Sequence, residues 1–512
     1  MSPQPLISAN SKRVARNTIL LYIRMLVMML VGLYTSRVIL NALGQDDFGT
    51  YGAVGGVVAM FSILTGAIAG AISRFLTFEL GKKTDSRLNA VFSTSVAVQL
   101  GMSLLVLVIA EIVGVWFLNA KMSIPDGRLA AANWVLQCSV FAFLTNMLSA
   151  PYNAAIIAHE KMDAFAYISL AEAFMTLGVA FITRYTASDK LIVYSVLMLA
   201  VALIVRLMYG VYAGRNFPEC RFRPRLVDGR IVKEVASYAG WTFIGNGFFV
   251  LNSHGINILM NLFFGVQVNA ARDVAYKFEN AVNKFINNFM TALTPQITKA
   301  YAADSKEYLY ELVCKGSKYS FFLVYFFALP IILEAPKLME LWLVNVPAYA
   351  VVFVRISMIS LLFMSAGDSY LKAINASGQV ARYQKIVLLA AVWVFPLTYL
   401  AYKSGMQPQI SYVIVTIVNM AVVTARVLLT HKLVGLPLKK VWTDVAARIL
   451  LVALAASVLP VVLFLCQPAS LARTLEVLAA SMVSMALASY FFGTTAGERA
   501  AVNGIIKKVF RR

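Results

Sequence analysis

The chain has 512 residues, of which 60% are hydrophobic and 13% charged, with a mean hydropathy of +0.75. A soluble globular chain averages about 45–50% apolar and about 25% charged, so the composition excludes an ordinary water-soluble domain. The formal net charge of +21 would suggest nucleic acid in a soluble protein. Here the basic residues sit mostly in short connections between apolar runs, where Lys and Arg set membrane topology. No basic surface interleaved with aromatics is laid out for nucleic acid.

Residues 1–16 are polar and basic. The apolar run after them is too long for a signal peptide and lacks a small-residue cleavage end, so an uncleaved first helix is expected. Fourteen segments of bilayer-spanning length follow: 17–40, 48–72, 88–118, 129–157, 165–186, 190–213, 236–264, 270–298, 316–335, 346–371, 384–402, 410–431, 446–466 and 474–492. The expected fold is therefore an all-α polytopic membrane protein of about 14 transmembrane helices. With the N-terminus placed in the cytoplasm, most of the 45 Lys and Arg fall in cytoplasmic connections, as the positive-inside rule requires. Both termini are then cytoplasmic, in a bacterial inner membrane.

The longest cytoplasmic connection, 214–235, carries Arg215, Arg221, Arg223, Arg225, Arg230 and Lys233. It sets the expected organisation: a six-helix lobe at 1–213, this basic connection, a second six-helix lobe at 236–432, and two additional helices with a basic tail at 433–512. Asn41 to Gly44 with the following helix can be laid over Asn261 to Gly265 with its own following span. Duplicated halves of this kind are common in transporters.

A charge at the centre of a membrane helix costs at least ~2.5–3.5 kcal/mol on insertion scales, so charged positions inside spans mark cavities or partners. Arg24 lies about two turns into the first span; it either faces a hydrated cavity or snorkels to the headgroups. The eighth span is more distinctive. Asp273, Lys277, Asn280, Lys284, Asn287, Asn288 and Thr291 fall on one helical stripe. Val274, Phe278, Ala281, Val282, Phe285 and Phe289 fall on the other face. This pattern suits either the wall of a water-filled path or a helix lying on the membrane surface; the wall agrees better with the charge bias of the spans downstream. Arg272 points away from the stripe, beside Asp273.

The seventh span presents Asn246, Ser253, His254, Asn257 and Asn261 along one broad face, suited to hydrogen-bonding sugars or a neighbouring helix. Several cations with few acids in the central spans imply an anionic cargo such as a diphosphate. Asp273, His254, Glu111, Glu172 and Asp368 are the candidates for proton or sodium coupling, each with a structural alternative as ion-pair, cap or packing residue. Cys138, Cys220, Cys314 and Cys466 are scattered and read as free thiols. The sequence holds no phosphate-binding P-loop, no HExxH and no GxSxG. Neither a cofactor nor a metal site is expected, and catalysis is not.

Several stretches resemble the polysaccharide-export flippases of the multidrug/oligosaccharidyl-lipid/polysaccharide (MOP) superfamily. They are NTILLYIRML (17–26), LYTSRVILNALGQDDFGTYGAVGGVV (33–58), RFLTFELG (74–81), SAPYNAAIIAHEKMDAFAYISLAEA (149–173) and EAPKLMELWL (334–343). The resemblance implies two six-helix lobes in a V shape, with helices 1, 2, 7 and 8 lining a cationic cavity that receives the pyrophosphate of a lipid-linked oligosaccharide. It places Arg24, Arg272, Lys277 and Lys284 among the cavity cations, and Arg74 at the cytoplasmic end of the second span. The second span has no charge before Arg74, unlike related lipid II flippases. Residues 17–40 contain no Asp or Glu, unlike related drug extruders.

The expected function is translocation of undecaprenyl-diphosphate-linked oligosaccharide to the periplasmic leaflet by alternating access, for surface polysaccharide such as O-antigen. The expected polar wall is Asn246, Asn257, Asn261, Asn280, Asn287 and Asn288. Expected partners are the lipid-linked substrate, the bilayer, a coupling proton or sodium ion, and a polysaccharide polymerase or other export-pathway proteins. The rival readings are a multidrug or cation antiporter of the same superfamily and a non-catalytic scaffold of a polysaccharide export pathway.

Overall fold

The computed structural model describes residues 4–499, apart from 60, 83–84, 121–123, 125–126, 265, 344–345 and 496. The side chains of some helical positions, Asn246, Ser253, His254 and Asn261 among them, lie outside the described set. The described residues are almost wholly helical, and eleven of their helices are long and apolar enough to cross a membrane. The chain forms two compact units: residues 14–243, and residues 244–512 together with 1–13.

The first unit contains most of α1 (Gln4–Ala59), α2 (Ser62–Lys82), α3 (Asp85–Ile109), which continues through a π-turn into α4 (Val115–Ala120), then α5 (Leu129–Ala158), α6 (Met162–Tyr185) and α7 (Lys190–Asn216). Helix α5 packs against α7, α2 and α3. The core they share includes the fully buried Ile72, Phe92 and Ile156. Two departures from expectation stand out. The second span is divided between α1, which ends at Ala59, and α2, which begins at Ser62. The connection after α7 is also shorter than 214–235, because α8 (Gly229–Phe264) begins seven residues before the apolar run. Its first turns place Ile231, Val235 and Ala239 in the core and leave Lys233, Glu234 and Ala236 exposed, an amphipathic start that mean hydropathy cannot register.

Within α1 the chain turns at Gly44, whose φ of 79° and ψ of 175° lie in a region essentially reserved for glycine. The residues after this turn are held by an ionic node. Arg128, just before α5, donates from Nε to Asp47 Oδ1 at 2.8 Å, with a second, closer contact from Nη2 to Oδ2. Its Nη1 donates to Asp189 Oδ2 at 2.7 Å. Asp189 in turn caps α7 by accepting from the N–H groups of Leu191 and Ile192, the usual role of an aspartate at a helix start. One guanidinium thus fixes α1, α5 and α7 at the same end of the unit.

The second unit holds the rest of α8, α9 (Val266–Ala302), α10 (Lys306–Trp342), α11 (Ala350–Ser377), α12 (Val380–Ala391), α13 (Val394–Lys403) and α14 (Ile410–Val434). It ends with α15 (Leu438–Val441), which runs through a π-turn into α16 (Ala447–Cys466), and with α17 (Leu471–Ala488). Helix α11 packs against α9, α10 and α14, and α10 also carries the terminal pair α16 and α17. That pair is fastened at two points. Glu334, at a break in α10 between Pro330 and Pro336, is fully buried. It accepts from Arg473 Nε at 2.8 Å and from Thr474 Oγ1 at 2.8 Å. Buried Lys318, nearer the start of α10, donates to Glu498 Oε2 at 3.0 Å.

Gly44→Ala is expected to destabilise the protein by about 1–3 kcal/mol through backbone strain alone, since nothing lies within 4 Å of the added Cβ; unfolding in detergent checks this. Glu334→Gln leaves the Arg473 guanidinium without its counter-charge and is expected to cost about 3–5 kcal/mol. Pairing Glu334→Leu with Arg473→Leu should recover most of that loss in the same assay.

Candidate functional site

The most polar of the long helices is α9. Its 37 residues reach ~55 Å at 1.5 Å per residue, ample to cross a hydrocarbon core of about 30 Å. Ala271, Val274, Ala275, Val282, Ile286, Met290 and Leu293 are buried, and this face packs along α10 and α11, both apolar enough to span. Asp273, Lys277, Lys284 and Asn287 are exposed, with Asn280, Asn288 and Thr291 half-buried beside them. The apolar face is centred further round the helix than the sequence pattern placed it. Ala281 is exposed, and Phe278, Phe285 and Phe289 are only half-buried. The seam is set by the smaller residues, which let α9 approach its neighbours closely, while Phe278 and Phe285 lean out over Trp342 and Phe327 at ring distances of 5.6 and 4.5 Å.

The charges on α9 have distinct surroundings. Lys277 Nζ lies 5.7 Å from the Trp342 ring centroid, within cation–π range. Neither Lys277 nor Lys284 has an acidic partner within ion-pair distance among the described residues. Arg272 stands 5.8 Å over the Tyr412 ring on α14 and within electrostatic reach of Glu279. The asparagines also serve the helix: Asn288 Nδ2 donates to the Lys284 carbonyl at 3.0 Å, and the Asn287 carbonyl accepts from Thr291 Oγ1 at 2.7 Å. On α8, the Asn257 Oδ1 is buried without a hydrogen-bond partner among the described residues. Asn246, Asn261 and His254 lie outside the described side chains.

Arg24 and Arg74 belong to the first unit and have separate settings. Arg24 Nη1 donates to Ser169 Oγ on α6 at 3.2 Å, and its guanidinium sits 4.4 Å over the Phe165 ring. Tyr209 on α7 lies within electrostatic reach of both Arg24 and Glu172. Arg24 is thus engaged by helices of its own unit. Arg74 is surrounded by aromatics, 4.7 Å from the Phe75 ring, 5.2 Å from Phe78 and 5.5 Å from Tyr238.

Among the other acids, Glu111 is exposed and accepts from Gln137 Nε2 at 3.1 Å. Asp368 on α11 accepts from Arg426 Nη1 at 3.3 Å, and Arg426 Nε donates to the Tyr383 hydroxyl at 2.9 Å. Arg426 and Tyr383 are not among the residues expected from the sequence to matter here. The only signal available was an arginine deep in an otherwise apolar span, and such an arginine demands an acid. Glu279, two turns from Arg272 on the same helix, is a charge of the eighth span visible in the sequence, but its pairing with Arg272 depends on the fold.

A profile of the polysaccharide biosynthesis protein family matches residues 14–301, more than half of the chain. The uncharacterized membrane protein EpsK of Bacillus subtilis (strain 168) is 21% identical over 284 residues, which are 55% of this chain and 56% of EpsK, so the chain matches little more than half the length of that relative. Among solved structures, MATE in the straight conformation superposes with a TM-score of 0.72 at 14% identity, over 83% of this chain and 96% of that one. VcmN, a MATE transporter of Vibrio cholerae in the bent form, gives 0.72 at 15% identity, over 84% and 98%. A MOP superfamily transporter from Pyrococcus furiosus, described as having a binding pocket of reverse polarity that suggests a different function, gives 0.70 at 14% identity, over 83% and 96%. At these identities the structural likeness is one of fold. The chain, folded like the MATE transporters, belongs to the polysaccharide biosynthesis protein family.

Proposed function

We propose that this protein is a flippase that moves a lipid-linked oligosaccharide with a diphosphate bridge across the inner membrane by alternating access. The observation that carries the reading is the exposed stripe of α9. Lys277 and Lys284 stand on a helix of membrane-spanning length, without acidic partners among the described residues, on the face that α10 and α11 leave open. A lysine in hydrocarbon would be neutralised or paired. An exposed, unpaired pair, lined by Asn280, Asn287 and Asn288, fits a hydrated path for an anionic headgroup with hydroxyl-rich sugars attached.

In this mechanism Lys277 and Lys284 hold the diphosphate, with Arg272 displaced to one side by its stacking on Tyr412. The asparagines of α8 and α9 contact the glycan. Arg24 approaches the cargo only by leaving Ser169 and Phe165, so we assign it a positioning role in a lobe comprising 1–213. The lobe at 236–432 carries α9, and the pair at 433–512 moves with α10 through Glu334 and Lys318. Both termini are cytoplasmic. The driving force is an ion gradient or the membrane potential, worth ~2.3 kcal/mol per charge per 100 mV, with Asp273 the coupling candidate nearest the lysines along the helix. Family membership supports a polysaccharide-related cargo, and the sign of the exposed charges disfavours a cationic drug.

The test is translocation of a lipid-linked oligosaccharide in proteoliposomes, read by access of an impermeant glycan-modifying reagent to the far leaflet. Lys277→Ala/Lys284→Ala should lower the rate about tenfold or more, the factor expected when ~1.4 kcal/mol of headgroup binding is lost. Its melting temperature should change little, since both side chains are exposed and the Lys277 contact with the Trp342 ring is worth only about 0.5–1 kcal/mol. Lys277→Arg/Lys284→Arg should transport at near the native rate. Equal rates for the native and alanine forms would remove these lysines from the mechanism. Uptake of cationic dyes by a protein inactive on several glycolipids would favour the antiporter.

Arg24→Gln gives a second prediction. It should reduce transport several-fold and also lower the unfolding temperature, because it removes contacts to Ser169 and Phe165. The paired drop distinguishes its positioning role from the transport-only effect expected at Lys284.

A further inference from the structure

The connection between α7 and α8 is basic in sequence but is not a loose tether. Phe217 and Cys220 are buried in the core of the first unit. The His159 ring stacks on Phe217 at 4.0 Å and its Nε2 lies 2.5 Å from Glu219 Oε1. Two short 3₁₀ turns, Pro218–Cys220 and Pro224–Leu226, follow one another. The backbone N–H groups of Arg223 and Asp228 donate to Ser93 Oγ and Thr94 Oγ1 of α3, each at 3.1 Å. A topology determinant needs only net charge on the correct side of the membrane; it does not need its backbone fixed at both ends.

What this frame presents is a set of uncompensated cations. The acids of the segment are all engaged elsewhere. Glu219 is held by His159; burial pushes its carboxyl up, but the hydrogen bond from His159, a backbone N–H and the His159 charge together keep it below the usual carboxylate range. Asp228 accepts from the backbone N–H of Arg230 at 2.7 Å, and Glu234 faces Arg87 at 3.8 Å. Arg221, Arg223 and Arg225 are exposed, and none has an acidic partner among the described residues. Arg221 and Arg223 have extended backbone, so the two guanidiniums share one face of the strand-like segment. Apolar groups are set among them and left uncovered: Phe222 is 42% exposed and Val227 38%.

Unneutralised arginines interleaved with exposed apolar side chains, in a multi-pass membrane protein, are the chemistry of a lipid–water interface. An acidic protein partner would account for the arginines but not for Phe222 and Val227. We propose that residues 217–228 form a built docking surface for anionic phospholipid headgroups, with Arg221, Arg223 and Arg225 on the phosphates and Phe222 entering the acyl boundary. The surface anchors the first unit to the leaflet it faces, and it does so independently of which cargo the protein carries.

The test uses the full-length protein in mixed micelles containing equal amounts of phosphatidylglycerol and phosphatidylcholine, with bound lipids counted by native mass spectrometry. Each guanidinium near an anionic headgroup is worth about a fivefold factor. Arg221→Gln/Arg223→Gln/Arg225→Gln should therefore cut the phosphatidylglycerol preference at least about fivefold, while melting in phosphatidylcholine alone stays native. Arg221→Lys/Arg223→Lys/Arg225→Lys should keep the preference, and so should a control, Lys432→Gln/Lys439→Gln, elsewhere on the chain. Phe222→Ser should weaken retention of both lipids. An unchanged preference in the glutamine variant would overturn the proposal. So would displacement of phosphatidylglycerol by millimolar inorganic phosphate, which would mark a site for a free anion.

Discussion

A charge on a membrane-length helix has to be hydrated, paired or neutralised, and the second unit is arranged around how α9 meets that demand. Its small apolar residues are sealed against α10 and α11, which leaves Asp273, Lys277, Lys284 and Asn287 no position except the open face. Large residues would have held the helices apart. Small ones bring the backbones close and fix the rotation of α9, and the rotation in turn aims the lysines. Packing and the placement of the charges are therefore coupled at this helix: turning it by one residue would bury a cation and expose an apolar seam.

Elsewhere the molecule handles buried charge differently. Glu334 is satisfied by Arg473 and Thr474, Lys318 by Glu498, Asp368 by Arg426, and Asp47 and Asp189 by Arg128. Each pair joins segments distant in sequence: Arg128 and Asp189 stand at helix starts and Glu334 at the break in α10, while Asp368 and Arg426 tie the middles of α11 and α14. Such pairs add little net stability over apolar packing, but removing one partner is costly. They act as register devices. Lys277 and Lys284 differ from these: among the described residues neither has an acidic partner within ion-pair distance.

The helices and the polar stripe of α9 were legible in the sequence because both are local: twenty apolar residues announce a span, and a period of 3.6 announces a face. The rotation of that face was legible only to within one position, as Ala281 shows, because the choice between small and aromatic residues for the seam depends on the partner helices. The ion pairs were not legible. Glu334 and Arg473 lie 139 residues apart, and nothing local links them. The same holds for Ser93 and Thr94, which read as ordinary span residues yet hold the basic connection. Arg24 was visible as an anomaly, but its engagement by Ser169 and Phe165 required the fold. The early start of α8 was masked because its first turns are half polar.

The central claim is that the open face of α9 is wet and receives an anionic headgroup. The most direct measurement is thiol accessibility at this face. Cysteines would be placed singly at Asn287 and at Ile286, in a form whose exposed native thiol is removed by Cys466→Ser, and probed in membranes with a charged, impermeant maleimide. The account predicts rapid labelling at position 287, protection there by a lipid-linked oligosaccharide with a diphosphate bridge, and none at the buried position 286. Labelling at 287 only by a lipid-soluble maleimide, or equal labelling with and without the glycolipid, would contradict it.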